Sequence, residues 1–224
     1  AVKIREGQSL KTDSLETFIR NAMELPEAHM EVLQFPSGYS NLTYLLKFGK
    51  KELVLRKPPQ GVKIKSGHDM GREFRILSGL HPIYNKVPQP FLFSDELSII
   101  GAPFYIMERM HGVIFRGHTP KDQLPDLNQM RKLSEAFVST LVEIHSFNYH
   151  AAGLENLGRP DGYVKRQIEG WTKRYIKAKT DEFKPLEKVY TWLNKNIPPE
   201  KRSALIHNDF KYDNLILSQD KSLN

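Results

Sequence analysis

The residues best suited to chemistry lie in the stretch Leu205-Ile206-His207-Asn208-Asp209-Phe210-Lys211-Tyr212-Asp213-Asn214-Leu215-Ile216-Leu217. An apolar run, a polar loop and a second apolar run follow one another, and the loop has the spacing H-x-D-x-x-x-x-N. Phosphoryl transfer needs a carboxylate that accepts a hydrogen bond from the attacking hydroxyl. A few residues on, it needs a neutral oxygen ligand for Mg²⁺. A loop held between two buried anchors can bring Asp209 and Asn214 to one phosphate, with His207 bracing the loop. The competing reading is a polar turn between two strands, because Asx residues favour turns. The loop taken alone does not separate the two.

The whole chain narrows the choice. Its 224 residues suffice for one large domain or two small lobes with a sizeable core. There is no cysteine, which excludes disulfides and thiolate metal sites. Residues 1–24 are charged and amphipathic rather than apolar, and no apolar run reaches membrane-spanning length. A cytoplasmic protein without a membrane partner is expected. The net charge of +7 suits an anionic ligand such as a nucleotide. Nucleic acid is not the expected partner, since the basic residues are spread along the chain rather than clustered.

The elements that must position the loop can be read in order. Asp13 is placed to cap a helix over 13–24, with Glu16 at the capping-box position and Leu15, Phe18, Ile19, Ala22 and Met23 on one face. Met30–Phe35 and Leu42–Phe48 read as strands around the turn Pro36-Ser37-Gly38-Tyr39-Ser40-Asn41. That turn either reverses the chain and nothing more, or closes over phosphates with backbone N–H groups and Ser hydroxyls. Glu52–Arg56 is a third strand, in which Val54 and Arg56 share one face while Lys57 takes the other. After a Pro-, Gly- and Lys-rich loop, Asp69 caps a helix that runs to about Leu80 and carries Glu73. Phe91–Ser94 and Ile99–Arg109 are the next strands, joined by a turn at Asp95–Leu97. Residues 112–126 are loop-like and mark a lobe boundary, giving lobes at 1–111 and 112–224. Helices are expected over 127–147, 162–179 and 186–196. The second of them carries Lys165, Arg166, Lys173, Arg174 and Lys177, a solvated face or, alternatively, a contact for an anionic acceptor.

The His207 loop resembles the catalytic loop H-R-D-x-x-x-x-N of protein kinases. It is closer to that of the aminoglycoside phosphotransferase family, the small-molecule branch of the same fold, where Asn208 stands in a position often held by Gly. Ser/Gly turn, strand cation, helix glutamate, hinge and loop occur in the kinase order, and the resemblance covers nearly all the chain from about Met30. The runs Gly67-His68-Asp69-Met70-Gly71-Arg72-Glu73-Phe74 and Val54-Leu55-Arg56-Lys57-Pro58-Pro59, with Tyr163, Arg166, Gln167 and Trp171, are similar to one subgroup. Its members resemble the kinase domain of certain acyl-CoA dehydrogenase fusion proteins that handle hydroxyacyl-CoA.

The resemblance implies a two-lobed α+β protein-kinase-like fold, an antiparallel sheet with a helix followed by a mostly helical lobe. It also implies transfer of the γ-phosphate of ATP (or GTP), with Mg²⁺, to a hydroxyl of a small molecule. Ser37, Gly38, Ser40 and Asn41 would then cover the phosphates and Val54 would touch the adenine. Arg56, where the wider family has Lys, would hold the α/β-phosphates in the grip of Glu73. Met107 would wall the adenine pocket, with Glu108 offering its C=O and Met110 its N–H. Asp209 would orient and deprotonate the acceptor, Asn214 would hold Mg²⁺, and Lys211 would neutralise charge on the γ-phosphoryl group. The fold also needs an Asp on a strand after the loop. Asp220 sits in a polar, turn-like stretch instead, so the chain reads as cut short, with that Asp beyond Asn224. This gap keeps alive the alternative of a nucleotide-binding pseudokinase, acting as a regulatory or interaction module.

Overall fold

A computed structural model describes residues 1–36, 41–59, 69–219 and 222. Helix α1 spans Thr12–Ala22, and the strands that follow are β1 (Met30–Gln34), β2 (Leu42–Phe48) and β3 (Lys51–Lys57). Helix α2 (Met70–Leu80), strand β4 (Pro90–Ser94), the short helix α3 (Leu97–Ile100) and strand β5 (Phe104–Glu108) complete this half. Helices α4 (Leu127–Ser146), α5 (Tyr163–Ala178) and α6 (Lys184–Lys195) come next, and a single 3₁₀ turn, Tyr212–Asn214, lies in the His207 loop.

The five strands form one antiparallel sheet in the order β1-β2-β3-β5-β4. Alternation along the strands sorts its side chains onto two faces. One face carries Leu42, Tyr44, Leu46 and Phe48 of β2, Leu53 and Leu55 of β3, and Phe104 and Ile106 of β5. It packs against Leu15 and Ile19 of α1 and Ile99 and Ile100 of α3. Tyr44, Leu46, Phe48, Leu53, Leu55, Leu15 and Ile19 are fully buried there. The other face carries the aligned row Thr43, Arg56, Tyr105 and, next to it, the row Leu45, Val54, Met107.

Two expected boundaries change. Asp13 does not cap α1; Lys11 is the N-cap residue and makes no side-chain cap bond. Glu16 is drawn away from a capping box because its carboxylate accepts from Arg20 Nε at 2.9 Å and from the Met30 amide at 3.4 Å. The strand expected over Ile99–Arg109 begins only at Phe104. Ile99 and Ile100 instead turn as α3 to bury both side chains on the core, and Gly101 closes the turn at φ 78°, donating its N–H to Leu97 O at 2.8 Å.

By internal packing the chain divides into two compact units, Ala1–Glu143 with His207–Asn224, and Ile144–Ile206. The first holds the sheet and the His207 loop. In the second, α5 and α6 carry no buried residue, and Trp171 and Trp192 are 63% and 61% exposed. No helix among the described residues is long and apolar enough to cross a membrane.

Candidate functional site

The Arg56–Glu73 region is assembled from three elements of the first unit. Asp69 caps α2 by accepting the Arg72 amide at 2.8 Å, which fixes the first turn and with it Glu73. Gly71 lets that turn press onto β4, where a Cβ would come 3.2 Å from Phe93 Cζ. Phe74 stacks on Phe93 at 5.8 Å and meets the Tyr105 ring at 6.4 Å, so α2 is seated on the sheet face that carries Arg56. The Glu73 carboxylate then lies 3.5 Å from Arg56 Nη1. It accepts two further hydrogen bonds, from Asn41 Nδ2 at 3.0 Å and from the Tyr105 hydroxyl at 2.9 Å.

The two cations that end β3 point to opposite faces of the sheet. Lys57 points to the core face beside Leu42, is 3% exposed, and burial lowers the pKa of its amine. Arg56 takes the α2 face because strand alternation gives adjacent residues opposite sides. Asn41, expected among the phosphate donors, is buried and gives its amide to Glu73. Tyr105 is the residue that sequence reading missed. It sits in an apolar strand and reads as core, and its only signal is being directly across from Arg56 in the register. Ser37, Gly38, Ser40 and Asp220 lie outside the described residues.

Val54 and Met107 face each other across β3 and β5, on the Arg56 side of the sheet. Glu108 follows at the strand end, where its amide donates to Gln89 O at 2.8 Å and its carboxylate accepts from the Gln89 amide at 3.1 Å. Met110 is half-buried just beyond.

The His207 loop is anchored on one side only. Of the two buried anchors expected around the loop, the later one forms, through a bridge in which the Val113 and Leu217 amides each donate a 2.8 Å hydrogen bond to the other's carbonyl. Leu217 is buried with Phe115 and Leu133, whereas Ile206 and Ile216 are 40% and 44% exposed. Ring contacts supply the rest of the anchorage. Phe137 of α4 meets Phe210 at 4.4 Å and Tyr212 at 4.9 Å, and His207 stands edge-on to Phe210 at 5.2 Å. Asn208 adopts φ 65°, the left-handed conformation that Gly and Asn tolerate best, and this reverses the chain into Asp209.

Asp209, Lys211 and Asn214 converge at the exposed tip. Asn214 Nδ2 donates to both Asp209 O, at 2.9 Å, and Asp209 Oδ2, at 2.8 Å, and Lys211 Nζ lies 3.1 Å from the same Oδ2. Because the amide nitrogen is spent on Asp209, the Asn214 Oδ1 is the atom left for a cation. The Asp209 amide is directed at His207 Nδ1 at 3.4 Å, a bracing contact rather than a chemical one. Lys211 is therefore bound to the carboxylate, the anion nearest to it.

The hydrogen bond from Lys211, then that from Asn214, hold the Asp209 carboxyl below its ordinary range. A depressed pKa keeps the carboxylate ionised at lower pH, and the ionised form is lost only as pH falls through the depressed value. Lys211→Met is expected to raise the pH at which Asp209 protonates, toward the usual carboxylate value. The measurement is the side-chain carbonyl ¹³C titration of Asp209, and a midpoint the same in both proteins would contradict this cause.

Arg56→Ala should weaken ATP binding, and Glu73→Ala should do so less. The double variant should depart from additivity by about 0.5–3 kcal/mol, the range for residues in contact. Calorimetric titration of the four proteins checks this, and strictly additive losses would show that the two residues do not cooperate.

The family model described as "Phosphotransferase enzyme family" (APH) matches residues 31–223. Acyl-CoA dehydrogenase family member 10 of Mus musculus is 35% identical over 222 residues, 98% of this chain and 20% of that protein. Acyl-CoA dehydrogenase family member 11 of Homo sapiens is 37% identical over 193 residues, 85% of this chain and 24% of that protein. The chain thus spans about a quarter or less of these relatives. A crystal structure of a Ralstonia eutropha protein classed as an aminoglycoside phosphotransferase superposes with a TM-score of 0.78 at 27% identity, covering 94% of this chain and 61% of that one. The streptomycin–ATP ternary complex of APH(2″)-IIa superposes at 0.53 with 17% identity, over 96% of this chain and 69% of that one, a likeness of fold. With the family model spanning sheet, α2, hinge and His207 loop alike, this chain belongs to the APH phosphotransferase family.

Proposed function

We propose that this chain is the kinase part of a small-molecule phosphotransferase, which moves the γ-phosphate of ATP, or GTP, to an alcohol hydroxyl. The observation that supports it most is the Asp209 tip: an exposed carboxylate, kept ionised by Lys211 and Asn214, at the end of a loop seated on Val113 and Phe137. An ionised Asp there can accept the proton of an incoming hydroxyl and align its oxygen. Val54 and Met107 offer an apolar wall for the base, with the backbone of Glu108 and Met110 at its edge. Arg56 then meets the α/β-phosphates, and Ser37, Gly38 and Ser40 are assigned as further phosphate donors. We assign residues 1–111 to nucleotide binding and residues 112–224 to the helical part that carries the catalytic loop.

Asn214 Oδ1 is a hard, neutral oxygen donor and so suits Mg²⁺, which keeps several waters and takes phosphate oxygens as ligands. The ion, when bound, neutralises charge on the β- and γ-phosphates. The chain's own contribution is to place Asn214 and Asp209 within one hydrogen-bonded unit. A cytoplasmic setting fits a substrate drawn from the nucleotide pool.

A hydroxyacyl-CoA is the first acceptor to test, because both relatives above are named as acyl-CoA dehydrogenase family members. The experiment incubates the full-length protein with γ-labelled ATP, Mg²⁺ and a panel of hydroxylated metabolites that includes hydroxyacyl-CoA thioesters. Phosphorylated products are identified by mass spectrometry. A Mg²⁺-dependent phosphate ester is expected; label transfer to no hydroxyl in a protein that binds ATP would turn the reading to that of a regulatory module.

A further inference from the structure

We propose that Tyr105 is a positioning residue for the nucleotide phosphates, acting through Glu73 on Arg56; this rests on the nucleotide-binding reading above. The lengths around the Glu73 carboxylate carry it. Its two short hydrogen bonds come from neutral donors, Asn41 Nδ2 on Oε1 at 3.0 Å and the Tyr105 hydroxyl on Oε2 at 2.9 Å. The charged partner is the most distant one, with Arg56 Nη1 3.5 Å from the same Oε2. The carboxylate is therefore fixed in place by tyrosine and asparagine, and the arginine is attracted to it without being clamped.

That division of labour has a chemical purpose. A guanidinium locked bidentate on a carboxylate would have its fork filled and its charge neutralised, leaving little for a phosphate. Here Glu73 is satisfied by neutral donors first, so Arg56 retains capacity. Its Nε is buried and has no acceptor among the described residues. Arg56 is nonetheless oriented, because Glu73 cannot move away while Tyr105 and Asn41 hold both its oxygens.

The backbone explains why Tyr105 can do this. It lies directly across from Arg56 in the β3–β5 register, on the same face, and is 1% exposed. Its ring is wedged against Phe74 of α2, so only the hydroxyl reaches the carboxylate. Burial, opposed by Arg56 and reinforced by Glu73, raises the phenol pKa, so the group stays protonated and remains a donor throughout the physiological range.

The test is Tyr105→Phe in the full-length protein, which keeps the ring on Phe74 and deletes only the donor. Affinities are measured for ATP and for adenosine, which has no phosphate, together with the melting temperature. The expected result is an ATP dissociation constant raised about tenfold, the lower end for loss of a hydrogen bond to a charged group, with adenosine affinity unchanged. In an Arg56→Ala background the same substitution should leave ATP affinity unaltered. A merely structural role would weaken ATP and adenosine together, in step with a lowered melting temperature, and that outcome overturns the proposal. So does unchanged ATP affinity in Tyr105→Phe. Failure of the unmodified protein to bind ATP would instead overturn the functional reading, and this inference with it.

Discussion

Replacing Asp209 with Asn is expected to lower phosphoryl transfer by about 10²–10⁴-fold, the range for loss of a positioned general base. Nucleotide affinity should stay within a few-fold. The substitution preserves shape, and the oxygen of the introduced amide can still accept from Lys211 and Asn214, which now hold Asp209 Oδ2 at 3.1 and 2.8 Å. What disappears is the negative charge, and with it the means of drawing a proton from the acceptor. Asp209 belongs to the loop tip rather than to the Arg56–Glu73 region, so ATP contacts made by Arg56 are untouched. Turnover is measured on the acceptor found by product screening, and ATP binding by titration. A variant that retains most of its turnover would remove Asp209 from the reaction.

The second large effect is structural. Gly112 precedes the bridge that seats the His207 loop, and a Cβ there would fall 2.0 Å from Leu217 O and 2.7 Å from Ile216 Cγ2. Backbone oxygen cannot swing aside as a flexible side chain can, so Gly112→Ala must separate the two segments. The Val113–Leu217 pair would lose both 2.8 Å hydrogen bonds, and Leu217 would leave its contact with Phe115 and Leu133. Two backbone bonds at about 1 kcal/mol each and part of one leucine burial suggest a loss of about 2–4 kcal/mol. Urea unfolding reads the stability, and faster hydrogen exchange at the Val113 and Leu217 amides locates the damage. Because Asn214 and Asp209 hang from the same anchor, transfer activity should fall as well. A Gly112→Ala protein with native stability and protected amides would show that the approach is looser than the geometry states.

Sequence reading captured the parts of this protein that depend on local pattern. Alternation in Leu42–Phe48 and Glu52–Arg56 marked two strands, the second of which extends to Lys51–Lys57, and sent Arg56 and Lys57 to opposite faces, because successive side chains on a strand must diverge. Asp69 at the head of an apolar-periodic run marked α2 and put Glu73 on its second turn, whereas the structure has it in the first. The left-handed Asn208 was foreshadowed by its standing where Gly is common.

Where the sequence misled, a long-range contact outweighed a local preference. Ile99 and Ile100 have strand-like side chains, yet burial against α1 with Gly101 behind them made a helical turn. Glu16 had the spacing of a capping box but found Arg20 and the Met30 amide. The apolar residues on both sides of His207 suggested two buried anchors, yet Ile206 and Ile216 are exposed and Leu217 is the one buried with Phe115 and Leu133.

By itself, then, the sequence determined which residues stand as candidates and in what order: Arg56, Glu73, Asp209, Asn214. Their residue types and spacings are local properties, carried by strand, helix and turn. Only the tertiary structure decided what holds them. Tyr105 and Asn41 meet on Glu73 from positions 32 residues to either side of it, and Val113 bridges to Leu217 although α4, α5 and α6 separate the two in sequence. No periodicity encodes such meetings, because they arise when the sheet register and the seating of α2 and α4 bring distant backbone together.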